Sequence, residues 1–147
     1  MLFDSESLQV IEDFAHHPTA IGLCIDSYRN CYTGHEIVAV FEPRSNTSAT
    51  RVLQEEFTEA LGKADRVMIS PVHRAENYSD EVRMNRKAME DKLSGDCLSA
   101  SACESKNGLF KELADLPYVE KRIVLLFTNG SFGEPLREYL RKVKGEG

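Results

Sequence analysis

The sequence predicts an α/β domain of three layers, a mostly parallel sheet with helices on both faces, and three observations predict it. Apolar runs short enough for buried strands recur at residues 8–11, 37–41, 66–69 and 123–127. Stretches with apolar residues at three- and four-residue spacing separate these runs, and Pro or Gly stands where several of those stretches start or stop. A strand that must return parallel to its predecessor needs a long crossover, which a helix of ten or more residues supplies.

Residues 8–11 read as the first strand, and Pro18 opens a helix carrying Ile21, Cys24, Ile25 and Tyr28 on one face, stopped by Gly34. The continuous β-branched and aromatic run 37–41 suits a strand buried on both sides. A polar loop, 42–50, leads to a helix whose face is Val52, Leu53, Phe57, Ala60 and Leu61. Residues 66–69 form the next strand, and 70–74 a loop. Residues 79–93 read as a weakly amphipathic helix, with Val82, Met89 and Leu93 inward and Met84 off that face. Residues 97–102 are a further candidate strand, 110–116 lie in a helix, 123–127 form a strong strand, and 133–143 close the chain as a helix. No repeat or linker divides residues 1–147, which read as a single domain.

Composition narrows the function. A formal charge of -6 lacks the clustered Lys and Arg that phosphate backbones require, so no nucleic-acid partner is expected. No apolar run approaches the roughly 20 residues of a membrane span, and residues 1–6 lack the features of a secretory signal, so no membrane partner and a cytoplasmic location are expected. Cys24, Cys31, Cys97 and Cys103 show no Cys-x-x-Cys spacing, and reduced, mostly buried thiols are expected. Neither a Gly-x-Ser-x-Gly elbow nor a Gly-x-x-x-x-Gly-Lys-Ser/Thr phosphate loop occurs.

With parallel strands, the segments 13–19, 42–47, 70–74 and 128–133 emerge on one rim, where open α/β sheets bind ligands. Asp13 could accept hydrogen bonds from ribose hydroxyls or cap the following helix. Adjacent His16 and His17 point apart in an extended turn and lack a third histidine, so no metal is expected. Arg44 offers a fork for carboxylate or phosphate, with Ser45, Asn46 and Thr47 around it; the alternative is a polar turn made rigid by Pro43. The backbone of Asn129, Gly130, Ser131, Phe132 and Gly133 could face an anion or form a plain strand-to-helix turn. In the 70–74 loop only His73 and Arg74 are chemically interesting.

Asp-Phe-Ala-His-His-Pro-Thr-Ala-Ile at 13–21, Val-Phe-Glu-Pro-Arg-Ser-Asn-Thr at 40–47 and Thr-Asn-Gly-Ser-Phe-Gly at 128–133 stand in the order and spacing of the C-terminal domain of Mur ligases. The chain resembles that domain from about residue 8 to 143, and Glu-Pro-Arg-Ser-Asn-Thr resembles the peptide-recycling branch, the murein peptide ligases. The resemblance implies a Rossmann-like closing domain of a three-domain, ATP-dependent amide ligase that uses Mg2+. That ligase joins a cell-wall tripeptide, L-alanyl-γ-D-glutamyl-meso-diaminopimelate, to UDP-N-acetylmuramate in peptidoglycan recycling, the amine attacking an acyl phosphate of the muramate carboxylate. By that likeness Asp13 contacts the ATP ribose, with Phe14 and His16 beside the nucleotide. His17, Arg44, Ser45, Asn46 and Thr47 face the substrates, Arg44 holding a peptide carboxylate, and Asn129, Gly130, Phe132 and Gly133 shape the same rim.

The departures from the family are informative too. The partners of such a domain, a UDP-sugar domain and a central ATPase domain that holds most of the ATP and Mg2+, have no counterpart in these 147 residues, so isolated activity is not expected. The family's hinge arginine is missing from residues 2–9, as in a chain that begins inside the domain boundary. Ser131 and Glu134-Pro135 stand where peptide ligases tend to have further glycines. The alternative is a stand-alone nucleotide-binding or protein-interaction module that has the fold without ligase activity.

Overall fold

The computed structural model describes residues 1–45, 47–96 and 99–145. Its strands are β1 (Phe3–Asp4), β2 (Leu8–Asp13), β3 (Glu36–Phe41), β4 (Arg66–Ile69), β5 (Ser99–Ala102) and β6 (Arg122–Phe127). Its helices are α1 (Pro18–Cys31), α2 (Gln54–Leu61), α3 (Arg86–Gly95), α4 (Lys106–Ala114) and α5 (Gly133–Val143), with a short 3-10 turn at Ala75–Asn77. The sheet order is β1-β2-β6-β3-β4-β5, parallel throughout except for β1, which lies antiparallel on β2.

The continuous apolar runs occupy the centre of the sheet because both of their faces are covered. Ile37, Ala39 and Phe41 of β3 and Ile123, Leu125 and Phe127 of β6 face one layer, with Ile21 and Ile25 of α1, Phe57 and Leu61 of α2, and Met89 and Leu93 of α3. The alternate residues Val38, Val40, Val124 and Leu126 face the other, with Leu109 and Leu113 of α4 and Leu136 and Tyr139 of α5. Period-two alternation thus divides each buried strand between two cores. The fold is the three-layer arrangement anticipated from the sequence, with α1, α2 and α3 on one face and α4 and α5 on the other.

Local chemistry sets the helix ends. Pro18 takes the first turn of α1, where its missing N–H is harmless, and Gly34 with φ 84° turns the chain into β3. Asn85 caps α3 by accepting from the Ala88 amide at 3.0 Å, and Ser105 caps α4 by accepting from Gly108 at 2.9 Å.

The structure corrects several expectations. Residues 79–85 are not helical: Arg83 donates to the Ala75 and Tyr78 carbonyls at 3.0 and 2.7 Å, and Arg51 to the Asp80 and Arg83 carbonyls at 2.7 and 3.0 Å. The Asp80 and Arg83 carbonyls are thus held from outside the segment by the Arg51 guanidinium, and a helix starts only at the Asn85 cap. Met84, expected off the core face, is buried, whereas Val82 is exposed. Val52 precedes α2 and is exposed. The helix expected at 110–116 starts earlier, at the Ser105 cap, and ends at Ala114. The two-residue β1 is too short to leave a pattern. Cys31 is exposed, Cys24 half-buried and Cys103 buried, while Cys97 lies outside the described residues. Among the described residues no helix is long and apolar enough to cross a membrane.

Candidate functional site at the carboxyl rim of the sheet

The parallel register aligns Asp13 with Phe127, Phe41 with Phe127 and Ile69, and Ile69 with Ala102. The loops that follow these residues therefore leave the sheet at one level, as the sequence reading requires.

On the α1 side, Asp13 ends β2. Its Oδ1 accepts from the Ala15 amide at 2.7 Å and its Oδ2 accepts from the Cys24 thiol at 3.6 Å. The first bond closes a local Asx turn. The cap of α1 is His17, whose side chain makes no capping bond, so the helix-cap alternative for Asp13 is removed. Phe14 is 69% exposed, and His16 and His17 are exposed. His16 Nδ1 lies 2.9 Å from the Phe14 carbonyl, while the His17 carbonyl accepts the Ile21 amide at 3.0 Å. Beside Asp13 a groove of about 910 Å³ runs along α1 past Ala15, Leu23, Cys24, Tyr28 and Tyr32. Burial, with the charge and hydrogen bond of Asp13, pushes the Cys24 thiol up to about 12, which keeps it a neutral donor rather than a nucleophile. A carboxylate with lone pairs to spare at the mouth of an apolar groove suits a pair of hydroxyls on a sugar that carries an aromatic ring.

The β3 side is built differently. Glu42 follows β3 with its carboxylate entirely buried. Its Oε1 accepts from Thr128 Oγ1 at 2.5 Å and lies 3.6 Å from Arg44 Nη1. Its Oε2 has no aligned hydrogen-bond donor and is held by the charge of Lys106, whose Nζ is 2.5 Å away. Thr128 Oγ1 also accepts from the Gly130 amide at 3.0 Å, so one hydroxyl joins the β3 loop to the β6 loop.

Arg44 leaves this cluster towards solvent. Its guanidinium crosses Gly130 so closely that a Cβ there would stand 2.1 Å from Nε, which makes glycine a condition of the approach. Its Nη1 lies 3.3 Å from His73 Nδ1, and the His73 amide donates to the Pro43 carbonyl at 2.9 Å. Burial first, then the charge of Arg44, lowers His73 below the usual imidazole range, so neutral Nδ1 accepts from Arg44. The start of the loop is fixed by buried Ser48, whose Oγ accepts from the amides of Arg44 and Ser45 at 3.0 and 2.9 Å.

The structure thus brings Asp13, Phe14, His16, His17, Arg44, Ser45, Thr47, Asn129 and Gly130 to the rim; Asn46 lies outside the described residues. Thr47 and Asn129 are exposed, and Ser45 Oγ lies 3.3 Å from Thr47 Oγ1. Gly133, with φ 67°, needs its freedom to start α5, and its amide donates to Ser131 Oγ at 3.0 Å. Phe132 is a correction: its side chain is 1% exposed and packs edge-on against Phe110, with ring centroids 5.5 Å apart. It belongs to the core beneath the rim, because an aromatic ring gains more from burial than from facing water. Sequence reasoning missed Glu42, Thr128 and Lys106 as a unit. A glutamate directly after a fully apolar strand was the available signal; Lys106 comes from the start of α4 and carries none of its own.

A family model described as "Mur ligase, glutamate ligase domain" matches residues 2–130, a range that contains both halves of this rim. The chain belongs to the Mur ligase family. Mur ligases are ATP-dependent amide ligases of cell-wall synthesis, and this chain is their C-terminal domain. A UDP-N-acetylmuramate–L-alanine ligase from Streptococcus sanguinis is 37% identical over 84 residues, which cover 57% of this chain and 19% of that protein. The chain thus spans about a fifth of the length of such curated relatives. Among solved structures, a murein peptide ligase from Psychrobacter arcticus superposes with a TM-score of 0.71 at 22% identity, over 94% of this chain and 28% of its own. The UDP-N-acetylmuramate–alanine ligase of Thermotoga maritima gives 0.69 at 21%, over 95% of this chain and 27% of its own. These two likenesses establish the fold of this Mur ligase domain.

Of the cofactors a Mur ligase uses, the nucleoside part of ATP fits the residues present, through Asp13 and the α1 groove. Mg2+ does not: among the described residues no set of His, Cys, Asp or Glu gathers for a metal, and the Glu42 carboxylate is already neutralised by Lys106.

Proposed function

We propose that this domain closes the active cleft of an ATP-dependent UDP-N-acetylmuramate ligase whose acceptor is a carboxylate-bearing cell-wall peptide, as in peptidoglycan recycling. The observation that carries the reading is Arg44, a cation fixed by Glu42, His73 and Gly130 on the same rim as Asp13. A guanidinium held in place on several sides meets a carboxylate at low entropic cost, and Arg geometry suits two-point contact. Asp13 takes the ribose hydroxyls of ATP, with Phe14 and His16 beside the nucleotide. His17, Ser45, Asn46 and Thr47 complete the substrate side, and Asn129, Gly130 and Gly133 shape it through their backbone.

The domain supplies no nucleophile and no proton-transfer group in this reading; it positions two substrates and excludes water as it closes. Mg2+ and most phosphate contacts belong to the central ATPase domain of such a ligase, so the isolated chain is proposed to be inactive and to bind ATP weakly. A UDP-sugar domain and that central domain are its proposed partners, and the cytoplasm its proposed location.

The test uses a ligase that carries this domain with the other two. Asp13→Ala is expected to raise the KM for ATP, and Arg44→Met the KM for L-alanyl-γ-D-glutamyl-meso-diaminopimelate, each by about tenfold, the loss of one charged hydrogen-bonded contact. Turnover of L-alanine in preference to the tripeptide would place the domain with alanine-adding enzymes, the second reading, which the match to the Streptococcus sanguinis protein favours.

A further inference from the structure

The cluster around Glu42 has a charge balance that the carboxylate-holding role of Arg44 does not explain. A buried carboxylate beside a ligand-binding arginine would cancel the charge that the arginine offers. Here a second cation intervenes: Lys106 Nζ sits 2.5 Å from Glu42 Oε2, whereas Arg44 Nη1 is 3.6 Å from Oε1. Lys106 is the closer ion and the carboxylate's Oε2 has no aligned donor to replace it. His73, the remaining titratable neighbour, is held neutral by burial and by the cations around it. Arg74 is exposed to water, where its charge is screened. The negative charge of Glu42 is thus met by Lys106, leaving the charge of Arg44 uncompensated.

We propose that Lys106 is a positioning residue for ligand recognition that acts through Glu42: by neutralising the buried carboxylate it leaves Arg44 with one uncompensated positive charge, and so makes the rim a receptor for a single carboxylate. The proposal rests on the reading of Arg44 as the carboxylate contact. It assigns Glu42 a mechanical part as well, tying the β3 loop, the β6 loop through Thr128 and the start of α4 to one buried group.

The experiment titrates the 147-residue chain with sodium acetate and follows the Arg44 Nε–H signal by 1H–15N correlation, with propionamide as the uncharged control. Wild type is expected to shift saturably with acetate alone. Lys106→Met removes the compensating charge and is expected to weaken acetate binding about fivefold or more. Lys106→Arg keeps the charge and is expected to stay within about twofold of wild type. The decisive variant is the double change Glu42→Gln with Lys106→Met, which restores the charge sum and is expected to recover binding to within about twofold. A residue that merely supports the loop predicts the opposite, a double variant no tighter than Lys106→Met, and that result would overturn the proposal. Should Lys106→Met not give a folded spectrum, Glu42→Gln alone carries the comparison: acetate binding at least as tight as wild type supports the charge balance, and weaker binding overturns it. If acetate leaves Arg44 unmoved in wild type, the carboxylate reading of the rim fails first, an outcome distinct from binding that is present but insensitive to Lys106.

Discussion

The two halves of the rim solve the same problem with different materials. The Asp13 half is one continuous segment: carboxylate, exposed ring, two exposed imidazoles and the start of α1 all lie within residues 13–18, and the hydrogen bonds of the Asp13 carboxylate reach no further than Cys24. The Glu42 half is assembled from the ends of β3, β4 and β6 and the start of α4, and its central bond, Thr128 to Glu42, spans 86 residues. The first half is open and its groups are free to meet a ligand. The second is buried at its centre, and one cation is allowed out. An open half can change without disturbing the fold, whereas the buried half couples recognition to stability.

The aromatic residues break that comparison most sharply if it is wrong. Phe132→Ala is expected to cost about 3–5 kcal/mol by removing a buried ring from the second core, while Phe14→Ala should change stability by under about 0.5 kcal/mol. Urea denaturation of both variants decides it; equal costs would mean that Phe132 is not the core residue described above.

Next in size is Thr128→Val, which keeps the shape but leaves Glu42 Oε1 and the Gly130 amide without their partner. A loss of about 1–3 kcal/mol in the same assay is expected, with no counterpart on the Asp13 half.

His73 sharpens the comparison through pH. Its folded value lies below the ordinary 6.5, so the unfolded chain binds the proton more readily. Its contribution is complete above about pH 6.5 and is lost as pH falls through the folded value. Stability measured from pH 7 to pH 5 should therefore fall less steeply in His73→Gln than in wild type.

Gly130→Ala, whose expected stability effect is small like that of Phe14→Ala, separates folding from recognition. The Cβ would displace only the flexible end of Arg44, and Gly130 has no positive φ, so the melting temperature should move by no more than about 2 °C. Acetate binding at Arg44 is nevertheless expected to be lost in the same variant.

Much of this architecture was readable before folding was considered. Residues 66–69 and 133–143 take the bounds that their pattern indicates, since buried strands and amphipathic helices carry their periodicity locally. The segment 79–85 was not readable, because its helical spacing is overruled by Arg51, which takes its Asp80 and Arg83 carbonyls. Asp13 was legible as a ligand group but not its turn; Phe132 was misread because a rim residue and a core residue one position apart look alike in sequence.

By itself the sequence determined the central parallel strands, their alternation with helices and hence the single rim on which Asp13 and Arg44 emerge, because apolar periodicity is a short-range property. Only the tertiary structure decided what surrounds Arg44. The burial of Glu42, the approach across Gly130, the neutral His73 and the charge of Lys106 all depend on groups far apart in the chain, and electrostatic compensation is a property of distance in space, not of spacing along a sequence.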